Sequence, residues 1–160
     1  MVVGKLVALG LLWLSHQAAG TASFSVVAHD THSYLSGIEN WLAGKGYYFH
    51  NGLEKVYAGR MPYYGLPYGA LLAAGLSQGQ AHTGLMVLQL VVETAATTAL
   101  VWYLLQLPVA RWMGCWGWLL LAALFCLSLA HTHFSLHLTP ESLASSLLLL
   151  ALVGYERWRA

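Results

Sequence analysis

Charge is what this chain has least of: seven Lys or Arg and six Asp or Glu stand among 160 residues, 8% against about 25% in soluble domains. With 58% hydrophobic residues and a mean hydropathy of +0.60, that scarcity excludes a soluble enzyme and points to an integral membrane protein. No basic run or stripe exists, which excludes a nucleic-acid partner. Cysteine is nearly absent too. Cys115 and Cys126 share one apolar segment, where a helix holds them roughly 16 Å apart, too far for a disulfide within it. No CxxC, HExxH or comparable spacing marks a closed zinc site. There is no internal repeat, no low-complexity tract and no soluble domain.

What the chain has instead is apolar runs of membrane length. A span needs about 20 apolar residues, so 160 residues allow four or five. The expected fold is an all-α membrane protein with about four transmembrane helices, near 6–28, 84–106, 114–134 and 140–156, in one transmembrane domain. The first run has a second reading as a signal peptide, with Lys5, an apolar core Leu6 to Leu14, and Ala18-Ala19-Gly20 as a cleavage site. Either way, the chain just beyond residue 28 is exported. In the second span Gln89, Glu93 and Thr97 recur every four residues and form a polar stripe on one face. The fourth opens on Thr139-Pro140-Glu141, a cap, a first-position proline and a first-turn acid.

Between the first two spans lies the only long segment that is not simply apolar. Residues 29–68 hold three of the six acidic and three of the seven basic residues, with most of the tyrosines. Tyr34, Ile38, Trp41 and Leu42 recur at helical spacing opposite Glu39, Asn40 and Lys45, and Gly44 and Gly46 supply a stop. This predicts a short amphipathic helix in the headgroup plane, with Tyr34 and Trp41 dipping in. Tyr47, Tyr48, Phe49, Tyr57, Tyr63, Tyr64 and Tyr68 continue an interfacial aromatic belt. Pro62, Gly65 and Pro67 are expected to break the chain, and 69–76 reads as a second interfacial helix ending in SQGQAHTG.

Lys5, Arg111, Arg157 and Arg159 fall on one side, which the positive-inside rule makes cytoplasmic. Trp102, Tyr103, Trp112, Trp116, Trp118, Tyr155 and Trp158 fall near the same side. The N-terminus is then cytoplasmic, and the 29–83 loop shares the outer face of a plasma membrane with the turn before Glu141. That brings two acids to one surface. Asp30 either caps the helix after it or acts as a general base toward an acceptor hydroxyl. Glu141 either complements the helix dipole or supplies a second carboxylate, able to share a cation or to divide acid and base duties. Arg60 is the cation placed for an anionic ligand, or for a lipid phosphate. His29, His32, His131, His133 and His137 gather near the same face and read better as interfacial histidines than as metal ligands. Glu93 reads as a paired structural acid, with His16 or Gln17 as partners or a partner on a helix outside this chain.

In this order the motifs resemble the start of a GT-C glycosyltransferase, of the protein O-mannosyltransferase and aminoarabinose transferase kind. The likeness rests on a first span ending in Asp30, Tyr34 with an interfacial helix ending at Gly44, GRMPYYGLPYGALLA, and LTPESLASSLLLLALVGYERWR. It implies sugar transfer from a polyprenyl-phosphate donor to an acceptor hydroxyl on the outer face. Asp30 would match the acid of the family's first outer loop, and Glu141 the acid opening the fourth span. Arg60 falls in a stretch that lies near the donor. No cofactor is certain, though a divalent cation fits some relatives. Such enzymes have about eight to thirteen spans, so the chain would be the N-terminal part of a longer enzyme, or need a partner membrane chain. The alternative is a small non-catalytic subunit that packs on a larger partner through Gln89, Glu93 and Thr97.

Overall fold

The computed structural model of the chain describes residues 31–51, 53–57, 62–107 and 140–159, with scattered positions between 7 and 20 and between 114 and 120. The fold is mostly helical. Helix α1 spans Thr31–Leu42, strands β1 and β2 span Tyr48–Asn51 and Glu54–Tyr57, and a 3-10 turn spans Pro62–Tyr64. Helices α2, α3 and α4 span Gly65–Ala73, Gln78–Gln106 and Pro140–Arg159. Val7, Gly10, Leu11, Leu14 and Ala18 are also helical, as are Gly114, Trp116, Gly117, Leu119 and Leu120.

Helix α1 buries Thr31, Leu35, Gly37 and Ile38. It ends in a Schellman motif, in which Lys45 N–H donates to Asn40 O at 2.9 Å and Gly44 N–H to Trp41 O at 3.0 Å, with Gly44 at φ +72°. The hairpin after it was not expected: it is a small departure from an all-α fold. Tyr48 pairs with Tyr57, Phe49 with Val56, His50 with Lys55 and Asn51 with Glu54. Aromatic and β-branched residues on both strands favour this pairing. The hairpin packs on α1, where Asn40 Nδ2 donates to Tyr48 O at 2.9 Å.

The 3-10 turn runs straight into α2. Pro67 does not break the chain as expected, because it lies in the first turn of a helix, where its missing N–H has no intrahelical acceptor in any case. Helices α1 and α2 cross closely on glycine. A Cβ at Gly65 would stand 2.4 Å from Ile38 Cγ1, and one at Gly69 2.5 Å from Ile38 Cγ2, so Ile38 fills the groove that Gly65 and Gly69 leave open. A second Schellman motif at Gly75 ends α2, and Ser77 starts α3 at once. Ser77 and Gln80 form a capping box: Ser77 N–H donates to Gln80 Oε1 at 2.9 Å, and Gln80 N–H to Ser77 Oγ at 3.4 Å. SQGQAHTG is therefore the start of α3 and not the end of α2.

Helix α3 is the only helix among the described residues long and apolar enough to cross a membrane. Its 29 residues extend about 43 Å, against a hydrocarbon core of about 30 Å. The surplus matches the polar opening Gln78 to Thr83, where α2 packs on α3 and Gln78 bonds Glu39 of α1. Its threonine hydroxyls are satisfied within the helix, Thr83, Thr94, Thr97 and Thr98 each donating to the carbonyl four residues before.

Helix α4 opens at Pro140 with Glu141 in its first turn, and Arg157 and Arg159 in its last turn suit the dipole. It packs along α3. Leu143 lies against the core of Leu35, Tyr64, Tyr68, Ala81, Leu85, Met86 and Leu90, while Arg157 sits 3.9 Å over the Trp102 ring. Contacts at both ends therefore make α3 and α4 parallel.

Candidate functional site

Two tyrosines one helical turn apart, Tyr64 and Tyr68 of PYYGLPY, organise the end of the molecule where α1, α2, α3 and α4 meet. Both are buried, and they point to different partners. Tyr64 donates to Gln89 Oε1 at 3.4 Å, and its ring meets Tyr34 edge-on at 5.9 Å. Burial, and then the nearby Glu141 carboxylate, push the Tyr64 hydroxyl above its ordinary ionisation range. Glu141 is thus in electrostatic reach of a hydroxyl that belongs to the sequence segment facing it. It remains exposed at the start of α4, open to a ligand.

Tyr68 donates to Glu39 Oε1 at 2.5 Å, the short distance of a charge-assisted bond, and Gln78 Nε2 donates to the same oxygen at 3.3 Å. One carboxylate on α1 thereby holds α2 and α3 together. Burial comes first in raising the Tyr68 hydroxyl, with the bond to Glu39 and its charge adding to it. The His82 ring stacks on Tyr68 with centroids 5.1 Å apart. Glu39 of α1 thus meets Gln78 at the start of α3, and Tyr34 of α1 meets Tyr64, which in turn reaches Gln89.

Of the acids expected to act, Glu141 is placed at this convergence. Asp30 and Arg60 lie outside the described residues, as do His16, Gln17, His29, His131, His133 and His137. His32 is exposed on α1. Among the described residues no three His, Cys, Asp or Glu side chains come together as a metal site, so the divalent cation has no ligand set there. The polar stripe of α3 is not a surface: Gln89 is 0% and Glu93 1% exposed, and Thr97 spends its hydroxyl on Glu93 O at 2.8 Å.

By sequence alone Tyr64 and Tyr68 belong to an interfacial aromatic belt and Glu39 to the polar face of α1. The structure buries both tyrosines and ties Glu39 to one of them. The signal was Gly65-x-x-x-Gly69 around Tyr68, since two small residues four apart let a neighbouring helix approach closely. The hairpin also had a signal, two runs of strand formers separated by Gly52 and one further residue.

This defines a mostly helical protein with, among the described residues, one membrane-length helix and an acid in electrostatic reach of a buried tyrosine where its helices converge. Comparison with protein-family models, curated proteins and solved structures finds no match to the chain.

Proposed function

We propose that the chain belongs to a multi-pass membrane glycosyltransferase of the GT-C kind, in which it carries the first outer loop and the helix opened by Glu141. The sugar comes from a polyprenyl-phosphate donor. An acceptor hydroxyl attacks the anomeric carbon, the bond from that carbon to the phosphate oxygen breaks, and Asp30 takes the hydroxyl proton. Glu141 is the second carboxylate, and Arg60 meets the donor phosphate. The observation that carries this reading is the position of Glu141 beside Tyr64, whose hydroxyl reaches Gln89. Counting from Gly84, Gln89 lies about 8 Å along the span, toward its outer end on this reading.

The multi-pass arrangement has its own support. Two adjacent parallel helices that both cross a bilayer need a return crossing between them, and the apolar run 114–134 is long enough to make it. Trp102, Trp116, Tyr155 and Trp158 are exposed, as an inner aromatic belt requires. On this reading the N-terminus is cytoplasmic, the membrane is the plasma membrane and the 29–83 segment lies outside.

The test is sugar transfer in membranes that contain the chain and whatever further spans it works with. Asp30→Asn and Glu141→Gln should each reduce transfer at least tenfold at unchanged protein level. Wild-type rates in both variants would sink the assignment.

A further inference from the structure

The β1–β2 hairpin has no part in the proposed transfer, and its two faces differ in charge. Cross-strand partners share a face, and so do residues two apart on one strand. Tyr48, His50, Lys55 and Tyr57 therefore stand together, with Phe49, Glu54 and Val56 on the other side. The hairpin's acid is thus kept off the face that carries its cation. Tyr48 is the floor of that face, 7% exposed, with the Lys55 ammonium 4.8 Å over its ring, His50 edge-on at 5.4 Å and Tyr57 at 5.7 Å. His50, Lys55 and Tyr57 are themselves exposed. The Tyr48 ring restrains a long side chain whose freedom an arriving anion would otherwise have to remove. An ammonium has three donors, so those turned away from the ring can meet an anion, and an imidazole N–H can join them.

The hairpin also sits at a defined level. Asn40 Nδ2 holds it to α1 by donating to Tyr48 O, and the neighbouring Glu39 is bonded to Gln78 at the start of α3. Gln78 lies about 9 Å along the helix before Gly84, and the headgroup layer adds about 5–8 Å to each side of the hydrocarbon core. When α3 crosses a bilayer, this end of α1 and the hairpin it carries are at headgroup level. Leu53 at the turn is wholly exposed, and Trp41, beside Asn40, and Tyr57 are exposed as well. Apolar and aromatic groups beside a cation are what a surface lying among anionic headgroups requires.

We propose that the hairpin docks on anionic phospholipid, with a headgroup phosphate bound by Lys55 and His50 and Leu53 entering the layer beneath it. This anchor needs only that α3 crosses a membrane, and it is independent of sugar transfer.

Amide hydrogen exchange over residues 48–57 of the full chain in lipid nanodiscs tests the docking. Replacing a third of the phosphatidylcholine by phosphatidylglycerol should slow exchange in the hairpin. Lys55→Gln should weaken that protection about fivefold, and Leu53→Asp should weaken it as well. Lys45→Gln, the same loss of charge off this face, should exchange as wild type. Hairpin exchange indifferent to phosphatidylglycerol overturns the proposal, as does an equal loss in Lys55→Gln and Lys45→Gln, the mark of diffuse charge attraction. Millimolar inorganic phosphate in discs of phosphatidylcholine alone should leave exchange unchanged. Full protection by free phosphate there shows an anion site with no need of a headgroup and also overturns the docking. Unchanged exchange in α1 and α3 shows that each variant is folded, and if Leu53→Asp disrupts the hairpin the two lysine variants decide.

Discussion

Adding a single methyl group at Gly69 should destabilise the outer end of this protein, although alanine is the better helix former. The Cβ would stand 2.5 Å from Ile38 Cγ2, well inside van der Waals contact, and Ile38 is itself 1% exposed with no room to retreat. Overpacking of this kind costs about 1–3 kcal/mol, while Gly to Ala in a helix returns up to about 1 kcal/mol. The net loss for Gly69→Ala is up to about 2 kcal/mol. For a chain of this size that lowers the thermal midpoint by up to about 8 °C, measurable by circular dichroism in mild detergent. Gly65→Ala should cost as much or more, because its Cβ would meet both Ile38 Cγ1 at 2.4 Å and the Tyr34 backbone oxygen at 3.3 Å. Gly84→Ala should cost less, since it meets only the tip of the flexible Leu71 side chain, at 2.7 Å. The decisive step is a double-mutant cycle. Ile38→Ala alone creates a void and costs about 2–5 kcal/mol, but in that background Gly69→Ala fills space and should stabilise. Additive behaviour, or a Gly69→Ala single variant as stable as wild type, would refute the glycine-groove account.

Two further outcomes concern the same end of the molecule. Ser77→Ala removes the side-chain acceptor of the capping box and should cost about 1 kcal/mol, with a smaller loss for Ser77→Gly, read from the same thermal midpoints. Tyr64 and Tyr68 ionise above their ordinary value of 10.0 in the folded chain, so the stability each contributes is full below that value and is lost as pH rises beyond it. Wild type should therefore lose stability as pH rises above about 10, and Tyr68→Phe should lose less over the same rise. An unchanged slope in Tyr68→Phe would show that its hydroxyl is not a buried, Glu39-bound group.

Much of the helical framework was legible because local chemistry dictates it. Gly44 and Gly75 reach positive φ without cost and end α1 and α2, while Pro140 and Glu141 suit the first turn of α4. The length and apolarity of α3 come from composition alone. Its true start did not, because SQGQ reads as a polar break until Ser77 and Gln80 are seen to satisfy one another's backbone donors. Glu141 could be picked out as an acid at a helix start, but its neighbour Tyr64 could not.

The reason is sequence distance. Local signals, such as periodicity, caps and turn glycines, act within one or two helical turns, and the sequence by itself determined those: a charge-poor, helix-dominated chain with a membrane-length helix and an acidic residue opening α4. Which face of each helix is covered depends on contacts between residues far apart, and only the tertiary structure decided them. Ile38 seats in the groove between Gly65 and Gly69, Tyr68 meets Glu39, and Glu93 turns from a stripe available to a partner into a buried group. In a chain with so few charges, where the polar groups go is a question of packing. A buried hydroxyl or carboxylate must find its partner wherever the fold brings one, and no local rule of the chain specifies where that is.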